Sequence, residues 1–245
     1  MKTALFILIL GLMGLSACKK DESIEPLGSS PKLLVSIMEN NLLITDFKYD
    51  SLNRLIQLNN YHADTISYSE NYQYDSDNKL IQRIFAGFIE TYEYTRDGKL
   101  LTTKKYYNPT GKVWNIEYQY DKGRIIKGIT FYEGTQTGYI VFKYDSQGNT
   151  IERTEYPNSP DLKGFKIEQF KIDYDTKINP VKNLCLFPAD IVQKNNPTYF
   201  YHYLAVMSSL PPEYHSTYDY DTLGIPTKEY RDSRTFIYNY IDKRE

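Results

Sequence analysis

Apolar and polar positions alternate with a period of two over most of this 245-residue chain, and short clusters of polar residues interrupt the alternation at regular intervals. A period of two puts every second side chain on one face of an extended strand, so the pattern predicts half-buried β-strands and not helices. The strands arrive in a repeated order: aromatic, any residue, Tyr, usually Asp, a polar turn, then another extended run. The copies are Phe47-Lys-Tyr-Asp50, Tyr72-Gln-Tyr-Asp75, Tyr92-Glu-Tyr-Thr95, Tyr118-Gln-Tyr-Asp121, Phe142-Lys-Tyr-Asp145, Ile172-Asp-Tyr-Asp175 and Tyr218-Asp-Tyr-Asp221, with a truncated echo at Tyr238-Asn-Tyr240. Four positions after the second Tyr stands a residue that tolerates positive φ: Asn53, Asn78, Gly98, Gly148 or Gly224. A type I turn followed by a left-handed residue needs one there. The Asp opens the turn by bonding nearby backbone. Gly123 comes one residue early and predicts a shorter loop in the fourth hairpin.

An opening pair of strands, Leu33 to Ile37 and Leu42 to Tyr49, brings the expected total to about fourteen. The fold class is all-β, an antiparallel hairpin meander that forms a curled sheet or closes into a soluble barrel, since closure removes exposed edges. A lipid-facing wall needs one uncharged side on every strand, and a charge at its midplane costs about 2–4 kcal/mol. Lys104 and Lys105 occupy opposite faces of one strand, as do Glu152 and Arg153 of another, so a barrel inserted in a membrane is not expected. The gap between Tyr174 and Tyr220 breaks the rhythm. An irregular insertion is expected over about 179–217, carrying Pro180, Pro188, Pro197, Pro211 and Pro212, a helical turn over Pro188 to Lys194, and a strand from Tyr199 to Val206. Its expected role is to cover the core; lining a binding face is the alternative.

The chain opens with Lys2 and an apolar run from Ala4 to Leu15, too short to span a bilayer comfortably, which predicts a signal peptide over 1–17. Leu15-Ser16-Ala17-Cys18 resembles a bacterial lipobox, in which Cys18 is the lipid-attachment residue and the partner is a membrane. Residues 18–31 are then the lipidated Cys and a tether, and 32–245 one domain. Lys19-Lys20-Asp21-Glu22 resembles an export signal for the outer face of the outer membrane, or is a plain charged tether. Lys2 is the only charge before Cys18, so its removal leaves 28 basic and 31 acidic residues. That balance gives no basis for binding nucleic acid. Cys185, in the apolar run Leu184-Cys185-Leu186-Phe187, is expected to be a buried, inert thiol.

Candidate chemistry is sparse. His62, His202 and His215 have no metal-site spacing, and no phosphate-binding, dinucleotide or nucleophile motif occurs, so no catalytic residue, metal ligand or cofactor is assigned. Twenty-five tyrosines remain. Cross-strand packing accounts for most, with hydroxyls reaching water. Trp114 shares a strand face with Ile116 and Tyr118 and is expected in the core, yet with Tyr199, Tyr201 and Tyr203 it is also a candidate ligand-binding residue. The expected function is a lipid-anchored cell-envelope protein that binds glycan or peptide on a Tyr-rich sheet. A structural or assembly role with an envelope-protein partner is the rival, and a hydrolase comes third. No oligomeric state follows from the sequence.

The Tyr-Asp turns resemble the YD repeats of Rhs and teneurin-type shells, β-sheets wound around a cargo. The lipobox, the YD hairpins, Tyr174-Asp-Thr-Lys-Ile-Asn-Pro180 and Asn195-Asn-Pro197 together resemble uncharacterised Bacteroidota lipoproteins with a porin-like fold. That resemblance implies an antiparallel barrel-like sheet and a cell-envelope location, and it assigns no activity or functional residue.

Overall fold

A computed structural model describes residues 32–179, 193–205 and 212–243. The expected signal peptide, Cys18 and its tether, Cys185 and nearly all of the expected helical turn lie outside them. The described residues form sixteen strands. They are β1 (Lys32–Glu39), β2 (Leu42–Tyr49), β3 (Leu55–His62), β4 (Thr65–Tyr74), β5 (Leu80–Phe85), β6 (Phe88–Tyr94), β7 (Leu100–Tyr107) and β8 (Lys112–Asp121). The second half continues with β9 (Arg124–Tyr132), β10 (Thr135–Tyr144), β11 (Thr150–Pro157), β12 (Glu168–Ile178), β13 (Asn195–Leu204), β14 (Glu213–Tyr220), β15 (Pro226–Arg231) and β16 (Arg234–Asp242). Each pairs antiparallel with its neighbours in sequence, and β1 pairs with β16, so the meander closes into a barrel.

Sixteen strands replace the fourteen expected. The strand expected from Tyr199 is present as β13, but it starts earlier, at Asn195, and is hydrogen-bonded to β12 and β14 within the wall, while the terminal echo around Tyr238 grows into the full strand β16.

The two ends of the barrel use different turn chemistry. At one rim, Asn53, Asn78, Gly98, Gly148 and Gly224 all have φ between 61° and 89°. Asp50 Oδ1 accepts the N–H groups of Leu52 and Arg54, both at 2.9 Å, and Asp75 and Asp221 repeat the arrangement. The fourth hairpin has the shorter loop, with Lys122 and Gly123 both at positive φ. At the opposite rim two-residue turns predominate, as at Asn40-Asn41, Ala63-Asp64, Ala86-Gly87 and Glu133-Gly134, all with positive φ.

A second regularity marks the start of each odd-numbered strand. Lys48 pairs with Gln57 and Tyr49 with Leu55, so Ile56 is an extra residue in β3. The same register shift recurs beside Val35, Ile81, Leu101, Ile126, Ile151, Thr198 and Thr227. Such a bulge bends the strand and increases its twist locally.

Alternation sorts the two faces. Tyr72, Tyr92, Phe142 and Ile172 are buried while the intervening Gln73, Glu93, Lys143 and Asp173 are exposed, so the aromatic face lines the barrel interior. The outer face carries charge, including the ion pairs Lys104–Glu93 at 2.8 Å and Lys143–Glu152 at 3.1 Å.

Candidate functional site

The interior divides into a packed floor and a wet mouth. The floor lies at the Tyr-Asp rim, where Leu34, Phe47, Leu55, Tyr72, Leu80, Tyr92 and Leu100 form one buried cluster and Ile125, Ile140 and Phe142 a second. Tyr118 packs against both. A sixteen-stranded barrel ordinarily leaves an aqueous lumen; here large rings and aliphatic side chains bury one end.

The second Tyr of the first six repeats, and of the terminal echo, carries out a specific task there; in the seventh repeat the first Tyr takes it over, Tyr218 donating to the Pro197 carbonyl at 2.8 Å. The Tyr49 hydroxyl donates to the Leu34 carbonyl at 2.7 Å, Tyr74 to Leu55, Tyr94 to Leu80, Tyr120 to Leu100, Tyr144 to Ile125 and Tyr174 to Thr150, each at 2.8 Å, and Tyr240 to Pro226 at 2.7 Å. Apart from Leu34, which lies in the opening strand β1, each acceptor lies in the strand that follows the preceding Tyr-Asp turn. The bond therefore joins two turns that the chain itself connects only through the far rim. These hydroxyls meet protein and not water, which corrects the expectation drawn from composition. Burial pushes the Tyr120 and Tyr144 phenols up to about 12.

The sixth repeat replaces its tight turn by a clasp of buried amides. Asn149 Oδ1 accepts the backbone N–H of Lys194 at 2.7 Å and of Asn195 at 3.1 Å, while its amide donates to Asp145 and Asn195. Asn196 donates to Asp175 through both its backbone and its side chain, and Tyr220 donates to the same carboxylate. This gives Asn195-Asn-Pro197 a structural reason: it fixes the start of β13 against β12 and the β10–β11 turn.

Beyond the floor the interior face changes character. Phe85, Phe88, Tyr107, Trp114 and Tyr132 are half-buried and in contact: Phe88 lies 4.6 Å from Tyr107 and 6.1 Å from Trp114, and Trp114 5.2 Å from Tyr132. Lys105 stands over Phe88 at 4.2 Å and Phe85 at 4.9 Å, and forms no ion pair among the described residues. Partial burial lowers its ammonium pKa despite the nearby Glu90. Arg83 packs over Phe85 at 4.0 Å and grips Glu70 with two bonds of 2.6 and 2.7 Å. Glu70 also accepts from Tyr68 and Tyr72. Burial alone would raise its carboxyl; Arg83 and the two phenols lower it.

Farther round the wall the same combination recurs. Arg153 pairs with Glu168 at 2.6 Å, His202 Nε2 lies 2.9 Å from the other Glu168 oxygen, and the His202 ring stacks on Phe170 at 4.1 Å. Glu155 faces Glu168 across the strand pair, and burial raises its carboxyl against the pull of Arg153. Glu229, almost fully buried, accepts from Arg231, Ser216 and Tyr238. Arg83, Arg153 and His202 keep 17 to 22% of their side-chain surface exposed, whereas Leu55, Leu100, Ile140 and Ile172 keep at most 2%. Rings interleaved with fixed, paired charges on a concave wet wall suit a ligand with both apolar faces and polar edges.

The structure separates the residues singled out from sequence. Trp114 lies inside the mouth. Tyr199, Tyr201 and Tyr203 pair with Asp173, Lys171 and Gln169 on the outer face, where Tyr199 packs on His215 at 5.1 Å beside a shallow depression. Sequence reasoning did not single out Glu70, Arg83 or Glu229. The signal for Glu70 was present: two residues before Tyr72, it shares the interior face. Among the described residues no group of three or more His, Cys, Asp or Glu side chains is placed to hold a metal ion.

The barrel is similar to a porin-like protein from Bacteroides uniformis, with a TM-score of 0.53, 13% identity, and coverage of 86% of this chain and 96% of the other. A porin-like protein from Bacteroides vulgatus gives a TM-score of 0.36 at 8% identity, over 86% of this chain and 99% of its own. No curated protein matches the chain. The Teneurin YD-shell family matches residues 15–164, well over half of the sequence and all of the first five Tyr-Asp turns. The stitched hairpins and that match together place the chain in the Teneurin YD-shell family.

Proposed function

We propose that this protein is a lipid-anchored cell-envelope binding protein whose barrel acts as a cup, taking a glycan or peptide into its mouth. The observation that carries the reading is the division of the interior. The floor uses its tyrosines to hold turns together, whereas the mouth keeps Phe88, Tyr107, Trp114 and Tyr132 solvent-reached beside Arg83 and Lys105. Flat rings bind sugar faces and apolar side chains, and the fixed charges orient polar edges. Nothing in the arrangement calls for bond-breaking chemistry, so the protein reads as a binder and not a hydrolase. Anchoring rests on Cys18 and the segment around it, and the envelope location follows from the same residues.

Trp114 is the single tryptophan, so its emission reports on the mouth alone. The soluble form starting after Cys18 is screened on glycan and peptide arrays, and hits are titrated by Trp114 fluorescence. A ligand of the cup shifts the emission, and Phe88→Ala weakens its binding at least about tenfold without lowering stability much. Hits that leave Trp114 emission unchanged, or no hits in either library, reject the cup and favour the structural role.

A further inference from the structure

The bulge near the start of each odd-numbered strand, at the Tyr-Asp rim, has a chemical bias. The extra residue is Val35, Ile56, Ile81, Leu101, Ile126 or Ile151 on six successive odd-numbered strands from β1 to β11, and Thr198 or Thr227 on the last two. Ile56, Ile81, Leu101, Ile126 and Ile151 are 36 to 49% exposed although interior neighbours such as Leu55 and Leu100 are at most 1% exposed, so they project outward. Nothing about the bulge requires an aliphatic side chain, as the two threonines demonstrate. At the turn tips beside this collar, Leu52 and Leu223 are 62% and 56% exposed.

The collar lies at a particular end. Strand β1 begins at Lys32, whose ammonium is 3.1 Å from Asp221 in the last Tyr-Asp turn, so the chain preceding the barrel joins it at this same rim. Thirteen residues separate Lys32 from Cys18. Even fully extended they reach about 50 Å. The mouth with its ligand residues lies at the opposite end. We propose that the Tyr-Asp rim rests on the lipid bilayer, with the aliphatic collar and the Leu52 and Leu223 tips in the headgroup–acyl boundary, so that the cup opens away from the membrane. The contact is interfacial. Lys48, Gln73, Glu93, Gln119 and Lys143 stand on the outer wall beside the collar and hold it at the level of the head groups.

This orientation rests on acylation of Cys18, and the experiment keeps the two apart. The lipidated protein carrying Cys185→Ser is reconstituted in vesicles of phosphatidylethanolamine and phosphatidylglycerol. A fluorophore is placed by Leu52→Cys or, at the mouth, by Lys112→Cys, and is quenched with brominated acyl chains. Flotation of wild type but not of Cys18→Ser tests the anchor. Quenching at 52 exceeding that at 112 by about threefold or more supports the rim-down orientation. Replacing Ile56, Ile81, Leu101, Ile126 and Ile151 by Thr, the residue the barrel itself uses at 198 and 227, brings the two positions to equal quenching while flotation persists. Equal quenching in the floating wild type overturns the orientation and leaves the anchor intact. If wild type does not float, the anchor fails, and the collar is then read on the unlipidated protein at high vesicle concentration. Quenching at 52 that the Thr collar abolishes supports it, and none at all overturns it. A self-associating wild type that the Thr collar makes monomeric assigns the collar to a second copy and also overturns the proposal.

Discussion

The floor and the mouth of this barrel are built by the same strands, yet they hold their tyrosines for different purposes. In the floor Tyr94 has its ring packed and its hydroxyl fixed on the Leu80 carbonyl. In the mouth Tyr107 rests against Phe88 and remains solvent-reached. The residue type is identical; depth along the strand decides its role. A composition rich in Tyr therefore cannot be equated with a binding surface, because most of the repeated tyrosines here are joints. What is left for recognition is the smaller set that the repeat does not require.

The largest test of this contrast is alkaline pH, which acts on all the joints together. Tyr120 and Tyr144 ionise at about 12 in the fold, above the ordinary value near 10. Their contribution to stability is thus complete below about pH 10 and is lost as pH rises through 12, because the unfolded chain releases those protons first. Urea unfolding followed by circular dichroism across this range shows a steep fall in stability, accompanied by tyrosinate absorbance that rises in step with unfolding. Free titration of all tyrosines near pH 10 in the folded protein breaks the distinction between joints and free rings.

Next in size is Leu100→Ala. This side chain is 1% exposed within the floor cluster, so its truncation costs about 2–5 kcal/mol by chemical denaturation. Phe88→Ala at the mouth costs clearly less, and a reversal of that order locates the stabilising core at the wrong end. Smallest is Tyr94→Phe, which deletes one hydroxyl and leaves the ring. Its loss costs about 1 kcal/mol, whereas Tyr107→Phe changes stability within error. Equal effects from both erase the contrast between joint and free ring.

Much of the fold was legible because the repeat is a local signal. Asp50, Asn53 and Tyr49 sit close in sequence and act on one another or on an adjacent strand, so spacing alone announces them. Alternation also placed Trp114 beside Ile116 and Tyr118 on the interior face. Two things were hidden. Closure pairs Leu34 with Tyr240 and Glu39 with Phe236, contacts between the two ends of the domain that no local pattern encodes. The outward aim of Tyr199, Tyr201 and Tyr203 depends on the register of β13 against β12; the start of β13 is held by the buried Asn149, Asn195 and Asn196, in a segment whose prolines read as irregular chain. The acidic and basic groups of the mouth were likewise hard to see, since Glu70 and Arg83 are thirteen residues apart and only strand pairing brings them together.

The joint between turns has one more property: its acceptor is a main-chain carbonyl. Leu34, Leu55, Leu80, Leu100, Ile125, Thr150 and Pro226 all serve, whatever their side chains. A main-chain connector that nearly every unit offers and accepts places little restriction on which unit follows which. Hairpins of this kind can be duplicated, deleted or exchanged in a gene without redesigning their neighbours. The circumference of the ring is then a matter of how many units are strung together before the two ends meet.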